Sequence, residues 1–156
     1  MTSFRRWTLV AFVLGFVLTV SGLRAAAAEN RVDKVSNSSF AQTAERLETA
    51  IKKRAMMIVA TVDHQNMLRM VGASIRGSKT IEFGKPDMMK MLLLDNPEIG
   101  LEMPLKIYVY ERADGKTVLS YYKPSSAFAG YGKEALSSAG QMMDMMLAEI
   151  AEEATK

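Results

Sequence analysis

Hydrophobic positions recur at helical spacing in two segments of the chain, residues 39–54 and residues 134–154. In the first segment, Ser39 followed by Gln42 fits a capping box, in which the serine oxygen accepts from a helix amide and the glutamine reaches back. The two apolar stripes comprise Phe40, Ala44, Leu47, Ala50 and Ile51, and then Leu136, Ala139, Gly140, Met143, Met146, Leu147, Ile150 and Ala154. Each stripe predicts a helix with one core-facing side.

Between these two helices the pattern is typical of strands and two short helices, of which the first can form over residues 65–71. The run MMIVATVDH at 56–64 is continuous and rich in β-branched residues, which favours a strand covered on both faces. The segment TIEFG, which ends at Gly84, predicts a second strand. Pro86 then fits the first turn of a helix that Asn96 and Pro97 end.

A hairpin is predicted where Leu105, Ile107 and Val109 alternate with polar residues and the turn residues Asp114-Gly115 follow. A two-residue loop places Tyr108 opposite Tyr121 on the face away from those apolar residues. A three-residue loop moves Tyr121 to the opposite face, so its side of the sheet depends on the loop length.

These elements predict one α+β domain over residues 39–154, with helices packed on a largely antiparallel sheet. Residues 29–38 are polar and only weakly patterned, so they are expected to form an arm or a short edge strand. The chain has no internal repeat.

Residues 1–28 have the pattern of a secretory signal peptide. Arg5 and Arg6 precede an apolar run over 7–20, and Ala26 to Ala28 supply small residues before a polar segment. The run is shorter than the roughly 20 residues needed for a spanning helix. We therefore predict cleavage after Ala28, a periplasmic or secreted location, and no membrane association once the signal is removed.

Removal of the signal changes the charge balance of the chain. The whole sequence has 20 basic and 17 acidic residues, and residues 1–28 hold three arginines and no acid, which leaves 17 of each sign. A neutral mature chain gives no reason to expect nucleic-acid binding from net charge. The sequence has no cysteine, so disulfides, thiolate metal sites and a cysteine nucleophile are excluded.

Four motifs in order along the chain resemble the DUF302 family of α+β domains. They are VDH at 62–64, FGKP at 83–86, LEMPLKIYVYE at 101–111 and DGKTVLSYYKP at 114–124. The resemblance covers about residues 38–153 and implies the α+β fold and a homodimer, but no reaction. The chain departs from the family pattern at Lys85, where asparagine is usual, and at Tyr122-Lys123, which replace a shorter polar pair.

The leading functional hypothesis is a non-enzymatic module that binds a small ligand or another protein. Binding residues are expected at the end of the first long strand, at the turn before the short helix and on the hairpin. The candidates are His64, Phe83, Gly84, Lys85, Pro86, Tyr108, Tyr121 and Tyr122. Alternatively, the histidine holds its turn together, the lysine is solvated, and the tyrosines contact a second subunit or lie under a helix.

Two further hypotheses start from His64, the only histidine. With Met67 and Met70 it forms a set spaced by three residues, and thioethers suit copper(I), so the chain could handle a soft metal. Methionine is also a common core-filling residue, and no cofactor is otherwise predicted. As an acid or base, His64 would make the chain an enzyme, but no local spacing nominates a partner group.

Overall fold

A computed structural model describes residues 30–156; the predicted signal peptide and its cleavage site after Ala28 lie outside the described residues. The strands are β1 Arg31–Val35, β2 Met57–Asp63, β3 Ser78–Gly84, β4 Leu105–Glu111 and β5 Thr117–Tyr122. The helices are α1 Phe40–Lys53, α2 His64–Met70, α3 Pro86–Asp95, α4 Pro124–Ala129 and α5 Glu134–Thr155, with a 3-10 helix at Pro97–Glu102.

The five strands form one sheet in the order β1-β5-β4-β3-β2. Strands β2 to β5 pair antiparallel with their neighbours, and the Ser36 amide donates to Thr117 O at 2.9 Å beside β1. The predicted α+β class with an antiparallel sheet is confirmed. The segment left open as an arm or an edge strand contains β1, at one edge of this sheet.

The core lies between one face of the sheet and the two long helices. The predicted capping box of α1 is present, with Ser39 and Gln42 satisfying each other's backbone amides. The stripes of α1 and α5 are buried at Leu47, Ile51 and Leu147, among others. They meet the sheet residues Ile81, Phe83, Ile107, Val109, Leu119 and Tyr121 in one hydrophobic cluster. Full burial of each such side chain contributes about 1.5–3 kcal/mol, which makes this cluster the main source of stability.

The hairpin has a three-residue loop, so the pairing expected from a two-residue loop is wrong. Glu111 pairs with Thr117, and the Arg112 amide donates to Lys116 O at 2.9 Å. Gly115 has φ +79°, which completes the loop with the left-handed residue that such turns require. Tyr108 consequently lies opposite Ser120 rather than Tyr121.

Tyr121 therefore faces the core, where only 5% of its surface is exposed. Burial, with a smaller contribution from the charge of Asp144, raises the pKa of the Tyr121 phenol.

The expectation that the run at 56–64 is covered on both faces is wrong. Strand β2 pairs only with β3 among the described strands and lies at the edge of the sheet. Met57 and Val59 are each 58% exposed. A continuous apolar run does not distinguish a central strand from an apolar edge strand, because the pattern contains no information about neighbours.

Helix α4 is held against α5 by a carboxylate of α5 that caps the first turn of α4. The Asp144 carboxylate of α5 accepts from the Ser125 amide at 3.0 Å and from the Ser125 hydroxyl at 2.5 Å. Gly140 allows this approach, because a Cβ there would lie 2.7 Å from Ser125 Cα. The glycine in the α5 stripe thus lies where the backbone of α4 packs closely against α5.

Candidate functional site

The second face of the sheet, here called the outer face, lies opposite the core formed with α1 and α5. Its register follows from the strand pairs, since Thr80 lies opposite Tyr108 and Tyr108 lies opposite Ser120. The central residues of this face are Ser78, Thr80, Glu82, Lys106, Tyr108, Tyr110, Val118 and Ser120. Tyr108 and Tyr110 are half-buried, so the outer face is partly accessible to solvent.

Three rings form an aromatic cluster on the outer face: His64, Tyr108 and Tyr110. The two tyrosine rings stack with centroids 5.0 Å apart and planes 11° apart, because alternate residues of a strand project on the same side. The His64 ring meets Tyr108 edge-on, with centroids 5.9 Å apart and an interplanar angle of 78°. Both are geometries that aromatic quadrupoles favour.

Hydroxyl groups of β3 fix two of these rings. Nε2 of His64 and Oγ1 of Thr80 share a hydrogen bond of 3.0 Å, and the Tyr108 hydroxyl and Ser78 Oγ share one of 2.8 Å. Within residues 30–156, the Tyr110 hydroxyl has no hydrogen-bond partner. Tyr110 therefore has a donor and acceptor available to a bound molecule.

The neighbouring carboxylate, Asp63, does not act on His64. It caps α2 by accepting from the Asn66 amide at 2.9 Å, and it lies 3.9 Å from Lys79 Nζ. Within residues 30–156, the hydrogen-bond partner of the His64 ring is Thr80, so this part of the chain contains no carboxylate–histidine dyad. The described residues also contain no cluster of three or more histidine, aspartate or glutamate side chains suited to a metal ion.

The structure brings together only part of the predicted binding set. His64 and Tyr108 are in contact, whereas Phe83 and Tyr121 are buried in the core on the opposite face of the sheet. Tyr122 is exposed, and the register of β5 places it on the outer face beyond Ser120.

The predicted turn before α3 lies apart from the aromatic cluster. Gly84 is four residues along β3 from Thr80, about 13 Å in an extended strand. A Cβ at Gly84 would lie 2.9 Å from the sulfur of Met89, so this glycine accommodates the start of α3. Lys85 and Pro86 begin that helix, and the Lys85 side chain makes no capping hydrogen bond.

Sequence reasoning missed three residues of the site: Ser78, Thr80 and Tyr110. The alternation of β4 places Tyr110 on the same side as Tyr108, so the pattern contained the signal for it. Ser78 and Thr80 lie on a neighbouring strand, and only the β3–β4 register assigns them to the rings.

Beside the cluster, α2 and the loop after it enclose an open cavity of about 260 Å³. Its lining is mainly polar: Asp63, Gln65, Asn66, Arg69, Ala73, Ser74 and Ile75. The Gln65 side chain donates to Ile75 O at 3.0 Å, and Arg69 donates to Asn66 Oδ1 at 2.6 Å. The first of these bonds joins the helix to its loop, and the second lies within the helix.

The methionines of α2 do not point toward the sheet with His64. Met67 and Met70 are 56% and 79% exposed, whereas the His64 ring is directed onto Thr80 and Tyr108. The copper hypothesis thus has no support from this geometry and stays a prediction from the sequence.

The family model described as domain of unknown function DUF302 matches residues 32–154. The chain belongs to the DUF302 family. The match includes every strand of the sheet from Val32 onward and nearly all of α5.

A solved structure has the same fold. The crystal structure of an uncharacterized conserved DUF302 protein from Bacillus stearothermophilus aligns with a TM-score of 0.73 and 20% sequence identity. The alignment covers 81% of this DUF302 chain and 98% of that protein. At this identity the likeness concerns the fold alone.

Partial similarity also extends to proteins named fluoride-specific ion channel FluC 1. Those of Brucella suis biovar 1 and Brucella abortus biovar 1 are each 30% identical over 90 residues, 58% of this chain. The matched stretch spans only about a third of their length, 35% and 33% respectively. None of the described helices of this chain combines the length and apolar composition needed to cross a membrane.

Proposed function

We propose that this DUF302 chain is an exported, non-enzymatic binding module whose ligand stacks on the outer face of the sheet. Support for export comes from the sequence of residues 1–28, with its two arginines, apolar run and alanine triplet. Support for binding comes from the aromatic cluster.

The observation that carries the proposal is the environment of Tyr110. One side of its ring stacks on Tyr108, while its hydroxyl has no hydrogen-bond partner within residues 30–156. No other ring in this part of the chain packs against it. A planar ligand could stack on the ring and hydrogen-bond the phenol, and such stacking contributes about 0.5–1.5 kcal/mol beyond the area buried.

The rest of the cluster favours binding over catalysis. Thr80 and Ser78 hold His64 and Tyr108 in place, so the platform is ordered before a ligand arrives. Preorganisation reduces the entropy that binding costs. The Thr80 hydroxyl orients the imidazole but supplies no negative charge to stabilise its protonated form, whereas a carboxylate would do both.

Saturation-transfer NMR with indole, adenine and nicotinamide as planar probes tests this proposal. We expect at least one probe to receive magnetisation from the wild type and much less from Tyr110→Ala. Met142→Ala is the matched control, because Met142 is exposed on α5, away from the outer face. Equal transfer in all three proteins, or no transfer to any probe, would refute stacking on Tyr110.

A second candidate follows from the channel relatives: a domain that accompanies membrane transport of fluoride. At least 61 of the 90 matched residues fall within residues 30–156, because only 29 residues lie outside that range. The similarity therefore concerns mainly a stretch that has no membrane-spanning helix in this chain. Fluoride tolerance of a strain lacking the chain tests this candidate, and unchanged growth in fluoride would remove it.

A further inference from the structure

Half of the methionines that the structure describes lie outside the core. Met1 is the one methionine outside residues 30–156, so the other twelve of the thirteen are described. Six of these twelve have more than half of their surface exposed: Met57, Met67, Met70, Met91, Met142 and Met145. Core filling, the usual role of methionine, does not account for these six.

The exposed methionines are spread over four elements of the fold. They lie on β2, on α2, on α3 and on α5. A docking surface usually gathers its apolar side chains into one contiguous patch. The distribution over an edge strand and three helices is unlike such a patch, so the explanation must apply to each sulfur separately.

Two pairs of consecutive methionines each place one side chain in the core and the other in solvent. Met56 is 5% exposed, whereas its neighbour Met57 lies mostly in solvent. Met143 is 1% exposed, whereas Met142 is 60% exposed. Successive side chains point to opposite faces of an extended segment and lie about 100° apart around a helix, which separates the members of each pair.

An exposed thioether has one reaction that requires no further side chain, which is oxidation to the sulfoxide. Susceptibility to this reaction follows exposure, and the chain has no cysteine that would compete for the oxidant. With hydrogen peroxide, a lone pair of the sulfur forms an S–O bond as the O–O bond breaks. The second peroxide oxygen leaves as water with both hydrogens, so the sulfur is oxidised and the peroxide is reduced.

We propose that the six exposed methionines are oxidation sites, at which the chain reduces peroxides without losing its fold. A sulfoxide is polar, so it disrupts a core but is hydrated where the side chain already lies in solvent. Burial shields the sulfurs of Met56 and Met143, on which the core depends. None of the six belongs to the aromatic cluster, so this inference is independent of the ligand proposed for Tyr110.

Peptide mass spectrometry of the protein treated with hydrogen peroxide tests the proposal at single sites. We expect Met57 and Met142 to be oxidised at least about tenfold faster than Met56 and Met143, because close packing excludes peroxide from the buried pair. The same measurement in urea is the matched control, since unfolding exposes all four and should remove the difference within each pair. Equal rates within the pairs of the folded protein would overturn the proposal.

A second experiment tests whether the fold survives oxidation. We expect the intact mass to rise by six oxygen atoms before the near-ultraviolet circular dichroism of the protein changes. A variant with all six exposed methionines replaced by leucine should fold and consume peroxide at least about fivefold more slowly. Met142→Gln, which imitates the polarity of the sulfoxide, should leave the melting temperature unchanged, whereas Met143→Gln should lower it. Loss of the circular dichroism signal before six oxygens enter, or undiminished peroxide consumption by the leucine variant, would overturn the proposal.

Discussion

The imidazole of His64 stands edge-on against the ring of Tyr108, with centroids 5.9 Å apart and planes 78° apart. His64 is the first residue of α2, and Tyr108 lies in the middle of β4, so this contact fixes the helix start over the sheet. Thr80 completes the arrangement by sharing a 3.0 Å hydrogen bond with Nε2. The contact therefore has a structural role, and it also orders the platform that Tyr110 extends.

Removal of the Tyr108 hydroxyl should destabilise the fold. Tyr108→Phe deletes the 2.8 Å hydrogen bond with Ser78, and we expect the free energy of unfolding to fall by about 1 kcal/mol. Tyr110→Phe is the control, because the Tyr110 hydroxyl has no partner within residues 30–156. Urea unfolding followed by circular dichroism measures both. Equal losses in the two variants would contradict this assignment of the hydrogen bond.

The close contact between α4 and α5 makes Gly140 sensitive to substitution. In Gly140→Ala the new methyl group would lie 2.7 Å from Ser125 Cα, and overpacking of this kind costs about 1–3 kcal/mol. Gly100→Ala is the control, since a Cβ there meets its nearest neighbour at 3.5 Å, an ordinary contact. A Gly140→Ala variant as stable as the wild type in thermal unfolding would show that the helices can separate without cost.

Acid should weaken the fold through glutamates that are paired with basic residues. Hydrogen bonds from Lys53 and Arg54 hold the pKa of Glu153 below its ordinary value, and a hydrogen bond from Lys34 does the same for Glu152. A lowered folded-state pKa gives stability that is present above the unfolded pKa and is lost as the pH falls through the folded pKa.

The loss of stability should therefore begin near pH 4.5, the ordinary glutamate value, and continue below it. Glu153→Gln should flatten this part of the profile of unfolding free energy against pH. Glu45→Gln serves as the control, because Glu45 forms no salt bridge within residues 30–156. Identical acid slopes in the wild type and Glu153→Gln would exclude this contribution.

The sequence predicted where helices and strands lie along the chain better than it predicted which of them lie side by side in the fold. The stripes of α1 and α5 have direct period-3.6 signals, and the capping box at Ser39 and Gln42 is local, so both could be found without a structure. The edge position of β2 could not, because an apolar run does not indicate which strands lie beside it.

The candidate site was predicted only in part, again because a local pattern does not indicate which residues lie beside each other in the fold. His64 and Tyr108 were found from chain position and residue type. Tyr121 was placed on either face according to the hairpin loop, and the three-residue loop put it in the core. The hydrogen bond between the side chains of Thr80 and His64 joins residues 16 positions apart, and periodicity does not encode such a contact.

The central claim is that the outer face of the sheet binds a planar ligand against Tyr110. Two-dimensional NMR of the wild type, titrated with the probe that shows the strongest saturation transfer, tests it most directly. We predict that amide shift changes concentrate at Thr80, Tyr108 and Tyr110 and are absent along α1 and α5. Changes confined to the helical side of the sheet, or no saturable change on the outer face, would contradict the claim.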